Sequence, residues 1–174
     1  MSDSNIRPAG PGDIAAITRI YADAVEHGAA TFEIRPPDEA EMARRQAALL
    51  AKGYPYLVAE RAGEVAGYAS AGPYHARPAY HWCVEDTIYV APQFHRAGLG
   101  RLLMARLIAD AEERGFRQMI AIIGDSANTA SITLHAAVGF RLIGTLQSVG
   151  FKRGRWLDTV VMQRRLGSGD ATLP

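Results

Sequence analysis

The sequence predicts an α/β (α+β) fold in which one mixed β-sheet is flanked by helices. Its 174 residues match the size of one domain, and a composition of 48% hydrophobic and 21% charged residues is that of a folded globular protein. Along the chain, β-rich runs are interleaved with segments of helical periodicity. We therefore expect residues 1–166 to form a single domain and residues 167–174 to be a disordered tail.

The first half of the chain predicts a strand, two helices and a hairpin. Apolar residues recur at helical spacing from Ile14 to Val25, and Gly28 ends that helix. A second helix is expected from about Asp38 to Lys52, because prolines precede it and Gly53 follows it. The β-rich runs of this half are Asn5–Arg7, Tyr56–Glu60 and Val65–Ser70, of which the last two form an antiparallel hairpin.

The second half begins with the strand Cys83–Val90, which leads through the loop HRAGLG into a leucine-rich helix. That helix ends near Gly115. The remaining predicted elements are the strand Gln118–Ile123, the helix Asn128–Val138, and two β-rich runs, Arg141–Ser148 and Leu157–Gln163, around the loop GFKRGRW.

The overall charge argues against several classes of partner. With 19 Lys and Arg against 18 Asp and Glu, the net charge is +1, so no global field attracts DNA, RNA or an anionic membrane. Apolar stretches stay well below the ~20 residues of a membrane-spanning helix, and residues 1–10 lack an apolar signal core. We expect a cytoplasmic protein without nucleic-acid or membrane partners.

The single cysteine, Cys83, limits redox and metal chemistry. One thiol allows neither an internal disulfide nor a zinc site built on several thiolates, and no metal is expected. Because Cys83 lies beside Trp82 and Val84 in an apolar strand, an inert core residue is favoured over a nucleophile.

The loop HRAGLG is the most informative segment, because a strand turns there through two glycines directly into a helix. Such a turn directs free backbone N–H groups at one point, and the helix dipole adds positive potential. Gly98 and Gly100 carry no Cβ that would keep a ligand from the backbone, and Arg96 and Arg101 can add charge-assisted contacts. The segment therefore predicts a phosphate-binding turn.

Two other interpretations of this turn stay open at this point. The glycines could serve only a tight strand-to-helix connection. A dinucleotide-binding Rossmann turn is imitated by the glycines and by Asp125 after the next strand, although Leu103 occupies the third glycine position and a hairpin precedes the turn. A Walker loop is excluded, because no Gly-Lys-Ser/Thr follows.

The loop HRAGLG, the helix and strand after it, and the segment ANTASITLHAAVGF together resemble the paired cofactor motifs of the GNAT superfamily of N-acetyltransferases. The segments AGPYHARPAYHWCVEDTIYV, ITLHAAVGF and GFKRGRWLDT are similar to those of its phosphinothricin/methionine sulfoximine acetyltransferase group. The resemblance runs from about Ile6 to Leu166.

This resemblance implies a seven-stranded, mostly antiparallel sheet split into a V-shaped cofactor cleft, and a homodimer. It implies that the pantetheine arm of acetyl-CoA lies in the cleft and pairs with the strand backbone. The cofactor-binding residues that it implies are Ile88, Tyr89, Val90, His95, Arg96, Ala97, Gly98, Leu99, Gly100, Arg101 and Asn128. His95 departs from the Arg or Gln usual at the first motif position.

The resemblance also implies direct acyl transfer, which needs a base for the attacking amine and a proton donor for the leaving thiolate. Glu85 matches the family glutamate, as the base or as a contact of the substrate ammonium, whereas a plain strand-end charge is the other interpretation. His135 falls where many members carry a tyrosine donor, and would be the donor here unless it is structural. Asn128 is an N-cap or a partner of the pantetheine amides.

For the acceptor, Arg77 and Tyr80 match family positions, and Phe32 is placed to wall the pocket. An arginine can bind a carboxylate or phosphinate through two hydrogen bonds, which suits a zwitterionic amino acid. The loop with Lys152, Trp156 and Asp158 is interpreted as structural or dimer-forming rather than substrate-binding.

We therefore expect an enzyme that acetylates the amino group of a small amino-acid-like molecule such as methionine sulfoximine, methionine sulfone or phosphinothricin. Two alternatives stay open: a GNAT enzyme with a polyamine or protein N-terminal acceptor, and a non-catalytic module that binds CoA or a dinucleotide.

Overall fold

The computed structural model describes residues 4–174, which contain one seven-stranded sheet and four α-helices. The strands are β1 Ser4–Pro8, β2 Tyr56–Arg61, β3 Glu64–Pro73, β4 Cys83–Val90, β5 Gln118–Gly124, β6 Arg141–Lys152 and β7 Arg155–Arg165. The helices are α1 Ile14–His27, α2 Glu39–Leu50, α3 Leu99–Glu113 and α4 Thr129–Ala137. Short 3-10 turns lie at Pro11–Asp13, Pro78–Tyr80 and Pro92–Phe94.

The sheet has the strand order β1-β2-β3-β4-β5-β7-β6. All neighbouring strands are antiparallel except β4 and β5, which pair in parallel over only three residues, Cys83–Glu85 with Gln118–Ile120. Beyond Glu85 the two strands separate, so the sheet opens in its middle while both halves continue. The predicted mixed, mostly antiparallel sheet with a central cleft is thus confirmed.

The helices cover the two faces of the sheet unequally. Helix α3 packs its leucines on one face in the larger core, where Leu99, Leu103 and Leu107 are almost completely buried. Helices α1 and α2 cover the other face, where Ile17 of α1 is completely buried in a second core with the tyrosines of β2, β3 and β4. The two cores lie on opposite faces of the sheet, and the gap between them is the place where β4 and β5 separate.

The end of the chain differs from the sequence prediction in one respect. The segment GFKRGRW was expected to be a loop, but β6 extends to Lys152 and β7 begins at Arg155, so only Arg153 and Gly154 form the turn. Both residues have positive φ, 54° and 75°, which is the backbone of a two-residue hairpin turn whose twist matches the strands. The result is one long hairpin with β6 at the sheet edge.

Residues 167–174 form neither helix nor strand. Arg117 donates hydrogen bonds to Ser168 and Thr172 and to the Leu173 carbonyl. The disorder expected for this tail stays a prediction. Within residues 4–174, no helix has the length and apolar character needed to cross a membrane.

Candidate active site

Two concave spaces meet at the split between β4 and β5. One, the glycine-loop cleft, has a volume of about 600 Å³ and runs from α1 past the outer half of β4 to the start of α3. The other, the tyrosine cavity, has a volume of about 410 Å³ and lies among α1, α2, β2, β3 and β4. Both are lined by Ala30, Ile88, Tyr89, Asn128 and Ser131, so the two spaces are continuous at the strand.

The turn at residues 95–100 supplies the glycine-loop cleft with hydrogen-bond donors. Within residues 4–174, the six consecutive backbone N–H groups from Arg96 to Arg101 donate to no protein acceptor. The first N–H of α3 that does so is that of Leu102, which donates to the Gly98 carbonyl at 3.2 Å. An anion with several oxygens, such as a pyrophosphate, fits a row of free donors at a helix N-terminus. The structure therefore places donors where the sequence predicts phosphate binding.

The two glycines of this turn do different things. Gly98 has φ +79°, a left-handed conformation that suits glycine, and nothing lies within 4 Å of where its Cβ would be. Gly100 has ordinary φ, but a Cβ there would lie 3.1 Å from the Leu134 side chain. Gly98 thus shapes the turn, whereas Gly100 lets α3 approach α4. The His95 ring nitrogen Nε2 is 2.9 Å from the Val90 carbonyl oxygen, so this side chain ties the turn back to β4.

The outer half of β4 offers a second row of backbone groups. One edge of Ile88, Tyr89 and Val90 pairs with β3, whereas their other edge has no strand beside it because β5 has already separated. All three residues line the glycine-loop cleft. An extended ligand with amide groups can bind along such an edge in the manner of an added strand.

The tyrosine cavity has a wall of stacked aromatic rings. Tyr56, Tyr68 and Tyr89 stack along its wall, with centroids 5.8 Å and 5.6 Å apart, and Tyr21 meets Tyr89 edge-on at 5.1 Å. Burial, as the largest cause, raises the pKa of each of these tyrosines, so they are neutral hydroxyls near pH 7. A cavity of this size and character suits a small molecule with an apolar chain.

Glu85 projects into the tyrosine cavity from the last residue of β4 that pairs with β5. Burial, followed by the negative charge of Asp86, raises the pKa of Glu85 to about 7. A carboxyl group with this pKa can accept a proton at neutral pH and release it again. Its environment therefore favours a base over a simple strand-end charge.

His135 and Asp86 form a buried pair behind this site. The side chains of both residues are only 2% exposed, and His135 Nε2 is 3.0 Å from Asp86 Oδ2. On its other side the ring donates from Nδ1 to the Ser131 carbonyl at 2.7 Å. Burial acts to lower the pKa of His135, but the hydrogen bond and charge of Asp86, and the Ser131 carbonyl, more than offset it and raise the pKa. Both ring nitrogens are thus occupied by protein acceptors.

Asn128 lies at the junction of the two spaces and caps α4. Its side-chain oxygen accepts a hydrogen bond from the Ser131 N–H at 3.2 Å, and its amide nitrogen is 3.4 Å from the Gly124 carbonyl. The N-cap interpretation is therefore observed directly, and a contact to a bound pantetheine would have to share the remaining amide hydrogen.

The loop between α1 and α2 forms one wall of the tyrosine cavity and carries Phe32. The Phe32 ring packs on Gly150 of β6, where a Cβ would come within 2.5 Å of the ring. Below it, the buried Lys152 ammonium donates to the Thr31 carbonyl at 2.8 Å. Arg45 of α2 donates to Glu33 at 2.7 Å and so fastens the far side of the loop. The structure thus brings Phe32 to the cavity, as the sequence predicts.

Arg77 and Tyr80 lie elsewhere. They belong to the exposed segment between β3 and β4, where Tyr80 meets Tyr74 and His75 edge-on, and neither residue lines the tyrosine cavity. A contact of Arg77 or Tyr80 with a ligand in that cavity therefore requires a movement of this segment or a second chain.

Asp158, in the loop that sequence analysis interpreted as structural, does hold the chain together. Its carboxylate accepts hydrogen bonds from the Ser126 hydroxyl at 2.5 Å and from the Ser148 N–H at 2.9 Å. Ser148 has φ +55°, at an irregularity in the β6–β7 pairing. Trp156 is 64% exposed and contacts Phe151 of the neighbouring strand edge-on.

Sequence analysis missed three residues around these spaces. Asp86 was seen only as a neighbour of Glu85, and no local pattern pairs it with His135, which is 49 residues away. Arg45 lies inside the second predicted helix, where nothing in the sequence indicates its contact with Glu33. Gly124 allows the backbone of Ala29 to pass so closely that a Cβ would lie 2.3 Å from that carbonyl oxygen. The glycine at the end of a strand was the one available signal.

Comparisons with known proteins agree with this arrangement. The model of the acetyltransferase (GNAT) family matches residues 15–140. Over 93% of its length the chain is 55% identical to a phosphinothricin N-acetyltransferase of Alcaligenes faecalis, of which it covers 82%. Over 92% of its length it is 43% identical to an L-methionine sulfoximine/L-methionine sulfone acetyltransferase of Salmonella typhimurium, of which it covers 94%.

Comparison with solved structures also agrees with this arrangement. The chain is similar to a GNAT superfamily phosphinothricin acetyltransferase from Sinorhizobium meliloti in complex with acetyl-CoA, with a TM-score of 0.95 and 48% sequence identity. The match covers 98% of this chain and 92% of that one.

Proposed function

Because the chain belongs to the acetyltransferase (GNAT) family and is thus an acetyl-CoA-dependent N-acetyltransferase, we propose that its acceptors are small amino-acid-like molecules of the methionine sulfoximine, methionine sulfone or phosphinothricin type. The observation that carries this proposal is the junction at β4, where a cleft with free backbone donors meets an aromatic cavity that contains Glu85. A split sheet of this kind can hold a donor and an acceptor side by side.

The residues present fit acetyl-CoA as the donor substrate. The six free N–H groups from Arg96 to Arg101 would hold its pyrophosphate, with the Arg96 and Arg101 side chains adding charge. The open edge of Ile88–Val90 would hold the pantetheine amides, and Asn128 stands where the arm would reach the junction. The thioester supplies an acetyl group that an amine can attack directly.

On the acceptor side, Glu85 is the proposed base. A substrate ammonium ion must lose a proton before its nitrogen can attack the acetyl carbon, and a carboxylate with a pKa of about 7 can take that proton near neutral pH. The C–N bond then forms as the C–S bond breaks, and the second proton that the acylated nitrogen loses passes to the thiolate, which leaves as the CoA thiol. No covalent bond to the protein and no metal is needed, which agrees with a site that uses neither Cys83 nor a serine nucleophile.

The acceptor would lie against Phe32 and the stacked tyrosines. The proposed contribution of Arg77 and Tyr80, a clamp on the acceptor carboxylate or phosphinate, depends on their segment reaching the cavity mouth. A polyamine or a protein N-terminus is less suited to this space, because a cavity of about 410 Å³ with a wall of stacked tyrosines fits a short acceptor better than a long chain.

The function is tested by release of CoA thiol from acetyl-CoA with a panel of acceptors. The panel contains methionine sulfoximine, methionine sulfone, phosphinothricin, ordinary amino acids, spermidine and a short peptide. We expect turnover with the small amino-acid analogues and not with spermidine or the peptide. Faster turnover of the peptide or the polyamine would replace the proposed acceptor class, and tight CoA binding without any turnover would favour a non-catalytic module.

Gly150→Ala is expected to weaken acceptor binding selectively. The added methyl group would lie 2.5 Å from the Phe32 ring and would push this wall into the cavity. We expect KM for the acceptor to rise about 3- to 10-fold, with KM for acetyl-CoA unchanged, as measured by steady-state kinetics with each substrate varied in turn. Gly144→Ala on the same strand is the control, because nothing lies within 4 Å of its Cβ position. Equal effects of both changes would contradict this role of Phe32.

We also propose that the enzyme is a homodimer formed through β6. This strand is at the sheet edge, and its apolar side chains are exposed over more than half of their surface: Leu142, Ile143, Leu146, Val149 and Phe151, with Trp156 of β7 beside them. A long edge strand with an exposed apolar surface is a site of association.

Leu146→Asp is therefore expected to convert the protein from a dimer to a monomer, as measured by light scattering after size-exclusion chromatography. Leu146 is 55% exposed in the single chain, so the substitution should not disturb the fold. Leu173→Asp, in the 91% exposed tail position, is the control and should leave the mass unchanged. A wild-type protein of monomer mass would refute the proposed dimer.

The proposed location is the cytoplasm, where acetyl-CoA is available as the donor. The proposed partners are limited to the small-molecule substrates and a second copy of the chain, without nucleic acid or membrane.

A further inference from the structure

We propose that Asp86 and His135 act together as positioning residues: Asp86 holds His135 as an imidazolium, and this charge balances the carboxylate next to the base Glu85 instead of supplying a proton to the leaving thiolate. The inference rests on the proposed function, because it concerns the ionisation of the proposed base.

The first step of the argument is the hydrogen bonding of the His135 ring. Nδ1 faces the Ser131 carbonyl at 2.7 Å, with the Ser131 hydroxyl farther away at 3.3 Å, and Nε2 faces Asp86 Oδ2 at 3.0 Å. A carbonyl oxygen and a carboxylate can only accept, so a ring that satisfies both contacts carries a proton on each nitrogen. Neither N–H is directed at the glycine-loop cleft, and donation to a thiolate there would break one of two buried contacts.

The second step is the position of Asp86 relative to Glu85. The two residues are consecutive on β4, so their side chains leave opposite faces of the sheet. Asp86 is opposite Ala71 of β3 and Glu85 is opposite Gly72. Both nevertheless line the tyrosine cavity, because the sheet opens directly after Glu85. Asp86 Oδ1 is buried and has no hydrogen-bond partner among residues 4–174, so within the described residues the Asp86 carboxylate contacts a hydrogen-bond donor at Oδ2 alone, and that donor is His135.

The other ionisable groups around Glu85 cannot replace this balance. The tyrosines that face it stay neutral near pH 7, and Cys83, two residues before Glu85, has a pKa raised to about 11 by burial and by the Glu85 charge. Arg45 is the one arginine or lysine among the residues that line the tyrosine cavity, and its guanidinium is bound to Glu33 and Glu41 at 2.7 Å. The groups in question are Tyr21 of α1, Arg45 of α2, Tyr56 of β2, Tyr68 of β3, and Cys83 and Tyr89 of β4.

The consequence is that the loss of His135 and the loss of Asp86 have unequal effects on Glu85. If His135 loses its charge, the Asp86 carboxylate is left unbalanced and Glu85 becomes harder to ionise. If Asp86 is replaced by a neutral residue, the buried imidazole loses the contact that keeps it charged, so no unbalanced charge is left beside Glu85 and its ionisation changes little. A merely structural pair would lower stability or activity without moving the ionisation of a neighbour.

The experiment measures kcat/KM against pH for the wild type, Asp86→Asn, His135→Gln and the double variant, with methionine sulfoximine as acceptor. Gln keeps a donor toward Asp86 but carries no charge. We expect the ascending limb to move up by about 0.5–1 pH unit in His135→Gln, and to lie near the wild-type position in Asp86→Asn and in the double variant, because neither of these two leaves an unbalanced charge beside Glu85. A fall in kcat for His135→Gln at all pH values, with the limb unmoved, would identify His135 as the thiolate donor and overturn the proposal.

A second measurement uses the wild-type protein, so its result does not depend on whether a variant folds. Long-range proton–nitrogen NMR of the wild type reports which ring nitrogens of a histidine carry protons, and the five histidines can be resolved by it. We expect the buried His135 to be protonated on both nitrogens at pH 7, and a neutral tautomer would refute the proposal. A wild type without turnover on any acceptor would instead refute the proposed function, while the NMR result would stand.

Discussion

Glu85→Gln is expected to lower kcat/KM above pH 7 by about 100- to 10,000-fold, which is the usual contribution of a general base. Glutamine has nearly the shape of glutamate but cannot accept the proton of the substrate ammonium ion. Because the pKa of Glu85 is raised to about 7, the wild type should show an ascending limb of kcat/KM near that pH. In the variant this limb should disappear, leaving only the slope set by the ionisation of the amine itself.

Steady-state thiol release across about pH 5 to 9.5 would measure both effects. Glu64→Gln, an exposed glutamate at the start of β3, is the matched control and should behave as the wild type. A limb near pH 7 that survives in Glu85→Gln would show that another group is the base. A rise in KM for the acceptor with kcat unchanged would instead make Glu85 an ammonium contact only.

The same substitution should make the protein more stable at high pH. The pKa of Glu85 is higher in the folded protein than its ordinary value of 4.5, so its contribution to stability is fully present below pH 4.5 and is lost as the pH rises through about 7. Glutamine avoids that loss. Thermal unfolding should therefore show equal stability of variant and wild type near pH 4.5, and a gain of about 1 to 2 kcal/mol for the variant above pH 7, reduced by solvent screening.

Gly98→Val is expected to raise KM for acetyl-CoA by about 10- to 100-fold, the loss that corresponds to one or two charge-assisted hydrogen bonds. Gly98 has φ +79°, which a β-branched residue cannot adopt without strain, so the turn must change its backbone. The six N–H groups that donate to no protein acceptor would then lose their present arrangement. The KM for the acceptor should change little, since the tyrosine cavity does not include this turn.

Gly53→Val separates the effect on binding from the strain. Gly53 has the same φ, +79°, also has open space around its Cβ position, and lies in the turn after α2, away from the cleft. Both variants should lose a similar amount of stability in thermal unfolding, but only Gly98→Val should weaken acetyl-CoA binding by calorimetry. Equal binding by the two variants would argue against the predicted pyrophosphate site.

The sequence predicted the order and type of nearly all elements, because each is marked by local chemistry. Gly28 and Gly53 mark helix ends, and the run from Leu99 to Ile108 has the helical spacing of a buried face. The turn near the end of the chain was less predictable from the sequence. The turn at Arg153-Gly154 contains a bulky basic residue with positive φ, and composition alone favoured a longer loop there.

The candidate site was predictable where it depends on local backbone and not where it depends on packing. At residues 95–100, two glycines followed directly by a helix predict free backbone donors. The pairing of His135 with Asp86 depends on the packing of α4 against β4, and no residue spacing in the sequence indicates that packing. Arg77 was expected in the acceptor site on the basis of resemblance, but a single chain holds it outside the cavity.

The opening of the sheet between β4 and β5 divides the site into a donor side formed mainly by backbone atoms and an acceptor side formed mainly by side-chain atoms. On the donor side the free contacts are backbone N–H groups and an unpaired strand edge. These backbone groups are present with almost any side chains, as long as the turn keeps its shape. On the acceptor side the walls are mainly side chains, and those of α1, α2, β2 and β3 are among them. Substitutions on these four elements can therefore alter which amine is accepted while the acetyl donor is kept, so that acceptor range is free to diverge among relatives that share one cofactor.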